Sequence, residues 1–252
     1  MAEPEEILPY IESLLQSGGK RDLSGRRVLI STGGTREYLD PVRFIGNPST
    51  GKMGLALARA AAHRGAEVTL VCGSMDADAI ASLTASLVGV KTIAASSAAQ
   101  MQQAMLESFP DADLTCMAAA VADVKPSSYS AEKLPKRSLP SQLPLEPVPD
   151  ILAELGKRKQ PHQRLIGFAA QTGDIVAPAL EKLQRKKLDA IVANPIDKPG
   201  AGFGSDTNEA IFLDNRGREL RVPSCSKLQL AHHLLDWEWG MGNGEWGIGN
   251  RE

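Results

Sequence analysis

The residues able to do chemistry in this 252-residue chain are glycines, small side chains and lysines gathered in a few loops, and their shared chemistry is anion binding. Ser31-Thr32-Gly33-Gly34-Thr35-Arg36-Glu37 follows the apolar run Val28-Leu29-Ile30. At such a strand end the backbone N–H groups can approach an anion, although Gly33-Gly34 can equally be only a tight turn. Gly46-Asn47-Pro48-Ser49-Thr50-Gly51-Lys52-Met53 has the GxxxxGK spacing of a phosphate loop but places Met53 where a magnesium-binding hydroxyl is required. What remains is Ser49, Gly51 and Lys52 at a helix start. That is an anion site through exposed amides and the helix dipole, or else a well-capped helix with a surface lysine. Between the loops, Arg43 of Asp40-Pro41-Val42-Arg43 can clamp a carboxylate or phosphate, or simply pair with Asp40.

Further along, Met117-Ala118-Ala119-Ala120-Val121-Ala122-Asp123 closes an apolar strand with small residues and then one carboxylate. Small side chains let a flat ring lie against backbone, and Asp123 can accept a hydrogen bond from a hydroxyl or amine. Lys133, Lys136 and Arg137 fall in a proline-rich stretch, whereas Lys182 and Lys186 share one helix face at i, i+4. Like charges held together need an anion, or they are ordinary solvated lysines. Pro149-Asp150-Ile151-Leu152 reads as a helix start with Asp150 in the cap or first turn. His63, His162, His232 and His233 show no metal-ligand spacing, and Cys72 and Cys116 sit in apolar strands as core thiols.

The elements that must position these loops alternate strand with helix. Strands at 28–30, 67–72, 90–94, 114–119, 165–169 and 190–193 interleave with helices at 52–63, 98–109 and 176–187. This βαβ order predicts an α/β fold, a Rossmann-like parallel sheet with helices on both faces. Segments 210–213 and 219–222 around Asn215-Arg216-Gly217 predict a small β-hairpin extension, and a last helix runs from Lys227 into Trp237. Between 123 and 149, Pro126, Pro135, Pro140, Pro144 and Pro147 argue for a long loop without regular structure, a candidate lid. Residues 1–24 read as an amphipathic helix around Ile7, Ile11 and Leu15 plus a Gly18-Gly19-Lys20 linker, 25–237 as the main domain, and 238–252 as a flexible Gly/Trp tail.

Bulk properties narrow the class. With 42% hydrophobic and 23% charged residues the chain can build a sizeable core. A formal charge of -2 offers no footprint for nucleic acid or an anionic membrane. Three scattered cysteines fit reduced thiols, and no run approaches the roughly 18 apolar residues of a membrane span. A cytoplasmic location is expected.

Taken in order, Gly33-Gly34-Thr35-Arg36-Glu37, Asp40-Pro41-Val42-Arg43, the run 47–54, Ala119-Ala120-Val121-Ala122-Asp123, Gly167-Phe168-Ala169-Ala170 and Gly202-Phe203-Gly204-Ser205-Asp206 resemble phosphopantothenate-cysteine ligase. That family is the C-terminal half of the bacterial bifunctional decarboxylase/ligase of coenzyme A biosynthesis. The resemblance covers residues 25 to 236. It implies a dimer that uses CTP and Mg2+ to convert 4'-phosphopantothenate to an acyl-CMP with loss of pyrophosphate, then couples L-cysteine and releases CMP. By the same resemblance, Met117, Ala118, Ala119 and Asp123 hold the cytidine, Lys133 is the flap lysine, and Pro149, Asp150, Ile151, Leu152, Phe168, Lys182 and Lys186 contact nucleotide. Asn47 matches the asparagine of the acyl-nucleotide intermediate and Arg43 an arginine for phosphopantothenate; the Mg2+ ligands stay unassigned.

Departures are visible too. Leu134-Pro135-Lys136 stands where the family runs through further lysines, Asn194-Pro195-Ile196 replaces Asn-Asp-Val, and Gln171 replaces a glutamate. The opening residues resemble the last helix of the decarboxylase half, so no FMN is expected in this chain, and association with a separate phosphopantothenoylcysteine decarboxylase is one expectation. A non-catalytic half of such a protein and a Rossmann oxidoreductase are the competing readings. The oxidoreductase lacks its spaced glycines and the acid where Val71-Cys72-Gly73 stands.

Overall fold

The computed structural model describes residues 4–87, 89–197, 202 and 204–239. Phe203 of the last motif, Met1 to Glu3 and the tail from Gly240 lie outside them. In chain order the elements are α1 (Pro4–Ser17), β1 (Arg27–Thr32), β2 (Arg36–Tyr38), β3 (Phe44–Gly46), α2 (Lys52–His63), β4 (Glu67–Cys72), α3 (Ala77–Ser86), β5 (Val90–Ala94), α4 (Ala98–Ser108) and β6 (Leu114–Met117). They continue as β7 (Val124–Pro126), β8 (Leu145–Pro147), α5 (Ile151–Arg158), β9 (Arg164–Gln171), α6 (Val176–Arg185), β10 (Ala190–Pro195), β11 (Thr207–Asp214), β12 (Glu219–Ser226) and α7 (Lys227–Trp239).

Eight strands form one sheet in the order β12-β11-β10-β9-β6-β1-β4-β5. From β10 to β5 all pairings are parallel, and β11 and β12 extend that edge antiparallel. The inner strands β4, β1, β6, β9 and β10 are buried at both parities because both faces are covered. In β1, Val28 and Ile30 enter one core with α2, α3 and α7, while Leu29 enters the other with α4, α5 and α6. After β1 the chain builds β4 and β5 on one side, then crosses to β6 on the other. The carboxyl ends of β1 and β6 therefore splay their loops apart and open a crevice.

The expected hairpin, β11–β12, is present as an antiparallel extension of the main sheet, with strands of eight residues each. Two expectations change. The proline-rich segment is not wholly irregular: β7 and β8 pair as an antiparallel ribbon, Lys125 opposite Glu146, with Pro126 and Pro147 inside the strands. Each strand of a two-stranded ribbon is an edge, so a proline's missing N–H can face outward without breaking the ladder. Helix α1 forms, but Ile7, Ile11 and Leu15 are 42%, 45% and 79% exposed. The face turned inward is polar: buried Ser13 lies between His63 Nδ1 at 2.7 Å and His232 Nε2 at 3.0 Å, and Tyr10 packs edge-on against His63.

Candidate functional site

A cavity of about 530 Å3 occupies the crevice beyond the ends of β6, β9 and β10, a size suited to a nucleotide-sized ligand. Its floor is the run from Met117 to Asp123, where β6 ends in side chains too small to fill the space. One wall is the start of α2. Gly51 caps that helix with φ 77° and no side-chain cap, so the first-turn amides have no side-chain acceptor. Gly54 lets the helix press on β1: a Cβ there would stand 2.2 Å from Thr32 Oγ1, the hydroxyl that donates to Gly51 O at 2.8 Å. The alternative of a well-capped helix is thus not what this sequence builds. Asn47, Ser49 and Lys52 line the same wall.

The facing wall is the N-terminus of α5 with Phe168 and two lysines of α6. Asp150 caps α5, accepting from Ala153 N at 3.0 Å, and also accepts from Lys186 Nζ at 2.9 Å. Burial works against its charge, yet the bond from Lys186 and the Ala153 amide hold its carboxyl below the ordinary range. Lys182 donates to Phe168 O at 2.7 Å. Burial, with repulsion from Lys186 second, pushes its ammonium down from 10.5 to about 8, and Asp150 and Asp123 only partly oppose this. Lys182 is thus a half-buried cation with no carboxylate in ion-pair contact among the described residues, an arrangement able to meet an incoming anion.

Most of the residues singled out in the sequence meet here: Asn47, Ser49, Gly51, Lys52, Met117, Ala118, Ala119, Asp123, Pro149, Asp150, Ile151, Leu152, Phe168, Lys182 and Lys186 all line this cavity. Gly33, Gly34 and Thr35 do not. The N–H groups of Gly34 and Thr35 go to Ser74 O and Ala120 O, and the buried Thr35 hydroxyl accepts from Ala122 N at 2.9 Å. That loop is the turn that sets the floor, with the Gly34 and Thr35 amides already taken. Glu37, from the same motif, is buried and accepts from Ala98 N at 2.8 Å, satisfying the start of α4.

Arg43 and Lys133 also lie outside the cavity lining. Arg43 takes the local option, pairing with buried Asp40 at 2.5 Å and donating to Leu134 O at 3.1 Å. Burial disfavours the Asp40 charge, but amides of Val42, Arg43 and Leu134 and the Arg43 guanidinium hold its carboxyl below the usual range. Asp40 thereby anchors the segment carrying Lys133, whose own side chain is exposed. Cavity residues that the sequence motifs do not place there include Asn208 and Lys227, single residues on β11 and α7 without a local motif.

Comparison with known proteins agrees with this architecture. The family described as DNA/pantothenate metabolism flavoprotein C-terminal domain matches residues 23–239. A cysteine/cysteine sulfinic acid decarboxylase from an unknown prokaryotic organism is 46% identical over 237 residues, 93% of this chain and 64% of its own. The coenzyme A biosynthesis bifunctional protein CoaBC of Bacillus subtilis is 40% identical over 235 residues, 93% of this chain and 56% of its own. The chain thus spans less than two thirds of the length of either relative. The crystal structure of the C-terminal domain of a CoaBC protein superposes with a TM-score of 0.72 at 33% identity, covering 88% of this chain and 98% of that domain.

Proposed function

This chain belongs to the DNA/pantothenate metabolism flavoprotein C-terminal domain family, and from that membership we propose that it is the nucleotide-dependent ligase of coenzyme A biosynthesis, joining L-cysteine to 4'-phosphopantothenate. The observation that carries this reading is the convergence, in one cavity, of Lys52, Lys182 and Lys186 with the amino ends of α2 and α5 over a floor of alanines. Such a site offers a flat shelf to a base and positive potential to a polyphosphate.

In the reaction, the carboxylate of 4'-phosphopantothenate attacks the α-phosphorus of CTP and expels pyrophosphate. The amine of cysteine then attacks the acyl carbon and CMP departs. Met117, Ala118 and Ala119 form the shelf for the cytosine, and Asp123 accepts from a nucleoside hydroxyl or amine. Lys182, Lys186 and the amides opening α5 neutralise the phosphates, while Asn47 and Ser49 at the start of α2 hold the acyl-phosphate region. Lys133 acts from the flap above and Arg43 on phosphopantothenate. A dimer accounts for the placement of these last two outside their own cavity, and exposed Val42, Phe44 and Tyr129 beside them supply apolar area for a second copy. Among the described residues no cluster of three His, Cys, Asp or Glu is arranged for a metal. A cavity whose described lining has Asp123 and Asp150 as its carboxylates fits Mg2+ that arrives on the nucleotide, where it would neutralise phosphate charge.

The direct test is pyrophosphate release from 4'-phosphopantothenate, Mg2+ and either CTP or ATP, followed by addition of L-cysteine. Release with CTP and amide formation on adding cysteine are expected. No release with any nucleoside triphosphate overturns the reading. Size-exclusion chromatography of the active protein checks the dimer. Among the described residues no helix is long and apolar enough to cross a membrane.

A further inference from the structure

Two cavity residues, Lys227 and Asn208, have no part in the reaction as written. Lys227 opens α7, is 7% exposed, and donates only to backbone carbonyls, Ser205 O at 2.5 Å and Gly202 O at 3.4 Å. The neighbouring carboxylate, Asp206, is held by Lys52 at 2.6 Å. Among the described residues Lys227 is therefore a buried cation in the cavity wall without an ion pair, and burial followed by repulsion from Lys52 depresses its pKa. Buried charges are ordinarily paired, so this one is waiting for an anion.

Asn208 lies on β11, is 6% exposed and lines the same cavity, and its side-chain amide oxygen has no hydrogen-bond partner among the described residues. Leaving such an oxygen unmet is costly, and what it lacks is an N–H or O–H donor. The two demands are of opposite kind. An ionised polyphosphate satisfies Lys227 but brings no donor for Asn208, whereas an α-amino acid presents a carboxylate and an amino group one carbon apart.

We propose that Lys227 and Asn208 form the subsite of the amino-acid co-substrate, its carboxylate on the Lys227 ammonium and its amino group on the Asn208 amide oxygen. Both are positioning residues, and the assignment rests on the ligase reading above. In that arrangement the carboxylate is the handle by which the enzyme tells an amino acid from a simple amine, and Asn208 orients the nitrogen that must reach the acyl carbon.

The test compares L-cysteine with cysteamine, which keeps the amine and thiol but lacks the carboxylate. Wild-type protein prefers L-cysteine in kcat/KM, and Lys227→Met reduces that preference tenfold or more, with Lys227→Arg restoring part of it. Asn208→Ala weakens both amines alike and leaves the preference intact. Because the preference is a ratio within one variant, partial unfolding cancels from it. A preference unchanged in Lys227→Met overturns the proposal, as does a change confined to the KM for CTP or 4'-phosphopantothenate. Should the wild-type protein release no pyrophosphate, the ligase reading fails, and saturation-transfer NMR then reads the subsite by itself. An L-cysteine signal lost in Lys227→Met supports the subsite; equal signals for L-cysteine and cysteamine overturn it.

Discussion

Replacing Lys182 with methionine should make the ligand-free protein more stable and the site useless for nucleotide. Its ammonium is held near the floor by the bond to Phe168 O, and its pKa falls from 10.5 to about 8. At about 1.4 kcal/mol per pH unit, keeping that charge costs the folded protein about 3 kcal/mol. Partial solvation and the loss of one hydrogen bond worth about 1 kcal/mol reduce the gain in Lys182→Met to about 2 kcal/mol. For a chain of this size that raises Tm by about 4–8 °C at pH 7. The sign follows from the depressed folded pKa: the penalty is complete below pH 8 and fades as pH climbs towards 10.5, so the two proteins converge in alkaline solution. Nucleotide affinity moves the other way. Removing one partner of a desolvated charge contact costs about 2–5 kcal/mol, and wild-type affinity itself drops about tenfold from pH 7 to pH 9 as Lys182 loses its proton. Thermal melts at pH 7 and pH 10 with calorimetric CTP titration measure both effects. A variant that melts at or below wild type at pH 7, or binds CTP equally well, refutes the reasoning.

Other expectations follow from the same geometry. Arg64, its side chain 1% exposed, bridges Asp22 at 2.6 Å and Asp236 at 2.7 Å; Arg64→Met should cost about 3–5 kcal/mol in urea unfolding, and a loss below about 1 kcal/mol would contradict the ion-pair account. Lys133→Ala should slow pyrophosphate release about 100-fold through lost stabilisation of phosphate charge, and unchanged turnover removes the flap lysine from the mechanism. His63 and His232, both pushed down to about 4 chiefly by burial, are neutral where they clasp Ser13. Arg59 adds repulsion at His63, and at His232 Arg64, His63 and His233 do so while Asp22 opposes. Stability should be lost as pH falls from 6.5 through 4, with α1 losing hydrogen-exchange protection first. Equal protection at pH 7 and pH 4.5 would show that the histidines do not hold it.

Elements with one strong period are legible in the amino-acid sequence alone. Helix α2 and strands β4 and β5 fall at the bounds that the sequence predicts, because glycines or short runs rich in β-branched residues mark their ends locally. Helix α3 is absent from the predicted elements, and the three-residue strands of β2–β3 and β7–β8 are too short to announce a period, those of β7–β8 each ending in proline. The two ribbons also pack on each other through β7, a contact between segments far apart in the chain that no local window contains.

The loops proposed to meet the nucleotide are visible for the same local reason: Asn47, Ser49, Gly51 and Lys52 lie together before a helix, and Asp150 is the residue type that caps one. Which of those loops face a ligand is decided only in three dimensions. The Gly34 and Thr35 amides are taken up by Ser74 and Ala120, whereas the sheet order carries Asn208 and Lys227 from β11 and α7 to the cavity. Residue type and spacing determine what a loop is able to bind. Strand order determines what it meets, because side chains distant in sequence share a cavity only when the strands and helices that carry them end on the same side of the sheet.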